Sequence, residues 1–188
     1  WYSRMLASVG RLDRSLEEAL KALRIDPDSA IINSRVAIAY TWLGDTENAG
    51  RFFERAAELG AGGVTHLLAN AFYLFREGQV EEAIELTTSS VQLVGGETYW
   101  IVPVFDALTD PAKRSDTLVV VDKAASEGVL SYQVEVVART MLGDLDNALV
   151  VAQKLIEPGE VFEMDLLFTP EMLPLRRHPG FLPLMADL

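Results

Sequence analysis

The chain has 188 residues, of which 49% are apolar, with 28 acidic and 16 basic side chains and no cysteine. That length and apolar share suffice to bury a sizeable core in one or two domains. The net charge of −12 repels phosphate backbones and argues against direct nucleic-acid binding, while the lack of cysteine excludes disulfides, thiolate nucleophiles and thiolate metal ligands.

No apolar run approaches the ~18 residues of a membrane span, and the opening stretch WYSRMLASVGRLDRS has neither the basic start nor the apolar run of a signal peptide. No membrane association is expected, and a reducing compartment, the cytoplasm, fits the composition. Residues 1–27 read as the end of one helix, a turn at Gly10, and a second helix from Leu12 to Leu23 closed by Asp26-Pro27, since proline cannot continue a helix. The chain thus enters its pattern partway through a unit, and the expectation is that further sequence precedes Trp1.

Residues 30–61 form the most regular stretch. Ile31, Val36, Ile38, Tyr40 and Leu43 carry helical periodicity before Gly44, and Phe52, Phe53, Ala56 and Leu59 carry it afterwards. Gly44 falls where a helix end needs left-handed backbone angles. Ala37 and Ala49 mark a close helix approach, and Phe53 is the expected plug of the pair. Residues 64–95 repeat the unit around Gly78 with Leu67, Ala71, Leu74 and Phe75, then Ala83, Leu86 and Ser90, before Gly95-Gly96 ends it. Gly10, Gly44 and Gly78 are 34 residues apart, the mark of a helix-turn-helix repeat.

From Glu97 the pattern degrades. Tyr99 to Leu108 is apolar with Pro103 inside, so this helix is kinked or begins near the proline. Thr109-Asp110-Pro111 reads as a cap opening a helix to Glu127, with Gly128 after it, and Leu118 to Val121 is expected to be helix rather than strand. Residues 130–158 return to the unit with Gly143, Ala148, Ala152 and Leu155. The last thirty residues hold Pro158, Pro170, Pro174, Pro179 and Pro183, which break any long helix. Phe162, Leu166, Leu167, Phe168, Leu173, Leu175, Phe181 and Leu184 make this tail too apolar for a linker, so it is expected to cover the end of the array.

Enzymatic chemistry finds few candidates. The only histidines are His66, which has no second ligand at helical spacing, and His178, which precedes Pro179 and reads as a turn residue, so no metal or other cofactor is expected. Glu17-Glu18 and Glu81-Glu82 fall early in the second helices of separate units, where carboxylates favour a helix N-terminus. Gly60 to Gly63 and Gly95-Gly96 lack the Lys-Ser/Thr of a phosphate loop and read as turns.

The series Gly44, Ala49, Phe53 and Ala56, with its echoes after Gly10 and Gly78, resembles the tetratricopeptide repeat. The resemblance implies an all-α, right-handed solenoid of four to five helix pairs. Clear repeats would cover 1–28, 29–62 and 63–96, followed by a degenerate pair at 97–128, a repeat at 129–158 and a capping tail at 159–188. The end, with Leu175-Arg176, Pro179, Phe181, Leu184 and Leu188, is similar to the tails of tetratricopeptide regions in multidomain bacterial regulators. There the array follows a winged-helix DNA-binding domain or a nucleotide cyclase domain.

In such a superhelix the first helix of each pair lines an inner groove. This assigns Ser34, Ile38, Thr41 and Trp42, then Leu68, Phe72, Phe75 and Arg76, then Tyr99, Val102 and Asp106, to a partner-binding surface; aromatic and arginine side chains are frequent interface anchors. The alternative is that these groups pack internally or lie beneath the chain's own tail. The Lys, Asn and Arg pattern of a chaperone-tail clamp is absent, with Ile38 and Ala69 at two of its asparagine positions. The implied function is protein binding or signal sensing, the partner being a peptide, a sister subunit in a homodimer, or an upstream DNA-binding or cyclase domain. A free-standing scaffold is the alternative, and an enzyme the least favoured reading.

Overall fold

The computed structural model describes residues 1–154 and 164–186. Among these residues every regular element is helical, and no helix is long and apolar enough to cross a membrane. The chain divides into two compact units: Trp1–Gly96 with Met164–Pro170, and Glu97–Glu163 with Glu171–Leu188.

The first unit contains α1 (Tyr2–Ser8), α2 (Leu12–Ile25), α3 (Ala30–Leu43), α4 (Thr46–Glu58), α5 (Val64–Arg76) and α6 (Val80–Leu93). They pack as the successive pairs α1/α2, α3/α4 and α5/α6. The turns inside the pairs carry Gly10, Gly44 and Gly78 at φ of 74°, 78° and 78°. At the second turn the Gly44 N–H donates to the Thr41 carbonyl and the Asp45 N–H to the Tyr40 carbonyl, which satisfies the free end of α3. The Asp45 carboxylate then accepts the Asn48 N–H at 3.1 Å and opens α4. Two residues thus end one helix and start the next.

Neighbouring pairs meet through α2 on α3, α4 on α5 and α3 on α5. Ala37, Ala49 and Ala69 are fully buried where the helices approach most closely, and Ile38, Trp42 and Phe53 fill the space between them. Phe53 is the plug expected from its position, with the His66 ring edge-on at 5.4 Å and the Tyr73 ring at 5.6 Å.

The second unit contains α7 (Ile101–Thr109), α8 (Arg114–Ser126), α9 (Tyr132–Leu142), α10 (Leu145–Lys154), α11 (Leu173–Arg176) and α12 (Phe181–Ala186). Of the two expectations for Pro103, the structure takes the second. The helix starts at Ile101 and places the proline in its first turn, where a missing N–H removes no helical bond. Asp110 accepts the Ala112 N–H at 3.1 Å, a short 3₁₀ turn Pro111–Lys113 follows, and α8 carries Leu118 to Val121 as helix. Pairing resumes with α9 against α10 around Gly143, at φ 85°.

The tail does not behave as one element. Residues 164–170 belong to the first unit, and from Glu171 the chain belongs to the second. There α11 packs on α10, and Leu175, Phe181 and Leu184 are buried, so these members of the terminal signature are core residues. Leu155, Pro158 and Phe162, the end of the array at 158, and Leu188 lie outside the described residues.

Candidate functional site

The face of the first unit expected to bind a partner centres on α3. Arg35 and Trp42 are seven residues apart and therefore share a side of this helix. Trp42 is buried and Arg35 partly buried. The segment 164–170 lies against them, with Asp165 Oδ2 accepting the Trp42 indole N–H at 3.2 Å and facing an Arg35 guanidinium nitrogen at 3.5 Å. The same guanidinium reaches Ser3 Oγ and Ser15 Oγ, both at 3.2 Å, and so ties the first pair to the second. Asp165 is 1% exposed, and its Oδ1 is buried with no hydrogen-bond partner.

Of the groups assigned to the partner-binding surface, those on α3 are packed internally. Trp42 is 2% exposed and Ile38 5%; Ser34 and Thr41 are buried with them. The physical reason is twofold: α3 is enclosed by α2, α4 and α5, and the returning segment covers part of what they leave. Leu166 packs on the cluster containing Trp42 and Phe53. Leu68, Phe72, Phe75 and Arg76 are half-buried on α5, with the Phe72 ring edge-on to Trp42 at 6.0 Å and the Arg76 guanidinium donating to the Thr41 carbonyl.

Tyr99, Val102 and Asp106 belong to the second unit. The Tyr99 hydroxyl donates to Glu127 Oε2 at 2.7 Å, Asp106 accepts from Lys113 at 2.9 Å, and Val102 is exposed. The structure brings together the candidates on α3 and α5 and gives Tyr99 and Asp106 separate local partners.

His66 and Ser34 form a pair that invites a catalytic interpretation, since the Ser34 Oγ lies 2.8 Å from His66 Nδ1. Both are buried, the histidine ring packs on Phe53, and burial is the cause that lowers the histidine pKa below its ordinary 6.5. The pair serves as a hydrogen-bonded contact between α3 and α5. His178 meets Asp146 at 3.0 Å in the second unit. Among the described residues no group of three or more His, Asp or Glu side chains is placed to hold a metal ion.

The residue that sequence reasoning passed over is Arg139. It is buried in the second unit and bonds Glu135 at 2.8 Å, Asp144 at 2.8 Å and Asp122 at 2.7 Å. Burial by itself would lower its pKa, and the three carboxylates outweigh that and raise it, so the guanidinium stays charged. A signal was present in the recurrence of Gly-Asp-x-x-Asn-Ala at Gly44 and at Gly143, with Glu135 and Arg139 one helical turn apart ahead of the second copy.

No family model, curated protein or solved structure matches this chain.

Proposed function

We propose that this chain is a protein-interaction module of tetratricopeptide type, the sensing or docking part of a bacterial regulatory protein. The observation that carries the reading is the repetition of one turn. Gly10, Gly44 and Gly78 are 34 residues apart, adopt φ of 74°, 78° and 78°, and each joins two helices that pack on one another. A sequence that rebuilds one hairpin at a fixed period stacks its hairpins, and stacked hairpins present their first helices along one side. The side chains there include Phe72 and Arg76, both half-buried and of the chemistry frequent at interface anchors.

The function follows from that surface. A partner segment, or an effector domain joined to the same polypeptide, docks on the α3/α5 side of the first unit. It changes the state of the regulator by binding one arrangement better than another. The test is selection of a random peptide library on the immobilised full chain, followed by calorimetric titration of the enriched peptides. The expected result is a family of related sequences with dissociation constants on the order of micromolar, lost on Leu68→Glu with the melting temperature retained. No enrichment over chain-free support would remove the reading.

A further inference from the structure

The segment Met164–Pro170 has an unusual position in the chain. Residues 97–154 before it and 171–186 after it belong to the second unit, whereas these seven residues, MDLLFTP, belong to the first. Their contacts there are made by side chains far away in sequence, 123 residues in the case of Trp42 and 130 in the case of Arg35. Each anchor meets a feature of the first unit that would suit a peptide. Asp165 is received by Arg35 and the Trp42 indole, and Leu166 rests on the apolar cluster. Phe168 fills the space left by a missing side chain at Gly10, where a Cβ would fall 2.7 Å from its ring; Pro170 lies beside Gly44.

Resting on the interaction-module reading above, we infer that Met164–Pro170 is an internal occupant of a peptide-binding groove, and that the groove's external ligand is a segment of the same chemistry. That ligand carries an aspartate followed by two bulky aliphatic residues and an aromatic one. The contact is therefore autoinhibitory. The unsatisfied Asp165 Oδ1 supports exchange rather than permanent closure, because a buried carboxylate oxygen without a donor weakens the hold of the segment that carries it. A ligand that supplies one more donor to its carboxylate from its own backbone displaces it. Recognition by a carboxylate on arginine and indole N–H, flanked by apolar side chains, fits peptide capture, where a few charged contacts fix register and apolar burial supplies affinity.

The test uses the full chain and a fluorescein-labelled MDLLFTP peptide followed by anisotropy. An occupied groove reduces apparent affinity by the fraction of molecules in which it is open. The wild type is expected to bind weakly, and Phe168→Ser, which removes the ring from Gly10, at least about tenfold more tightly. Asp165→Asn provides a second released chain with the segment's shape retained. A peptide with asparagine in place of its aspartate is expected to bind each released chain at least about tenfold more weakly. Circular dichroism melting shows whether each variant keeps its helices.

Equal affinity for wild type and both variants, or no binding to folded variants up to about 1 mM, overturns the inference. Loss of helicity in both variants also overturns it, by making the segment part of the structural core. If library peptides of other chemistry still bind, only this inference falls. If nothing binds either form, the interaction-module reading falls with it.

Discussion

The turns at Gly44 and Gly143 use the same six-residue pattern, GDTENA in the first unit and GDLDNA in the second, and the same backbone, at φ of 78° and 85°. In both, an aspartate bonds the asparagine three residues on, at 2.8 Å in the first copy and 2.9 Å in the second. In both, the following alanine is fully buried. What surrounds them differs. Four residues ahead of Gly44 stands Tyr40, stacked on Phe52 at 5.8 Å; four residues ahead of Gly143 stands Arg139, with its three carboxylates. Where the first unit has the Phe53 plug, the second has Ala152 at the equivalent position. The same turn is therefore locked by aromatic packing in one unit and by buried charge in the other. Local sequence sets a turn, while the means of holding it depends on which side chains the neighbouring helices supply.

The comparison breaks most visibly at Phe53. Phe53→Ala is expected to cost about 3–5 kcal/mol, from lost burial and a residual cavity between α3, α4 and α5. A denaturant titration measures it, and an unchanged midpoint would take Phe53 out of the core. Arg139→Ala is expected to cost about 3 kcal/mol, because it leaves Glu135 as a buried, uncompensated carboxylate and takes the guanidinium from the partly buried Asp144, while Asp122 is already largely in water. Arg139→Met combined with Glu135→Leu should recover most of that loss, since an apolar pair needs no compensation. The double variant separates a lock made of charge from one made of shape.

Gly44→Ala and Gly143→Ala should each cost about 1–2 kcal/mol, and by similar amounts, because both require the left-handed region and neither has a close neighbour to meet an added Cβ. A large difference between them would show that the two turns are not equivalent.

The smallest effect concerns pH. Burial lowers the His66 pKa in the folded state below its ordinary 6.5, so the unfolded chain binds a proton that the folded chain refuses. The stability this histidine permits is fully present above the ordinary value and falls as pH drops through it. The slope of melting temperature against pH between 7 and 5 should flatten in His66→Gln. An unchanged slope would place the acid sensitivity elsewhere.

Much of the first unit was legible because its signals are local and repeated. Glycine at fixed intervals, alanine where helices touch, and Asp26-Pro27 at a helix end depend on neighbours within one or two turns. The cap at Asp110 and the helix through Leu118 to Val121 were legible for the same reason. The surface was less so. Helical spacing put Trp42 and Ile38 on a common side of α3, but burial depends on what arrives from elsewhere, and Asp165 arrives from more than 120 residues away. Nothing periodic marks MDLLFTP within a proline-rich tail. Arg139 was missed because a lone arginine on a helix has a solvated side chain in most settings, and only the assembled carboxylates make it a hub.

Met164–Pro170 is either a replaceable occupant of the first unit or a fixed part of its core. Hydrogen exchange read by mass spectrometry across residues 164–170 of the full chain, with and without saturating MDLLFTP peptide, tests this most directly. For a replaceable occupant, the peptide raises exchange in the chain's own segment by at least about tenfold while α3 stays protected. Unchanged protection of the segment with the peptide demonstrably bound would contradict replaceable occupancy.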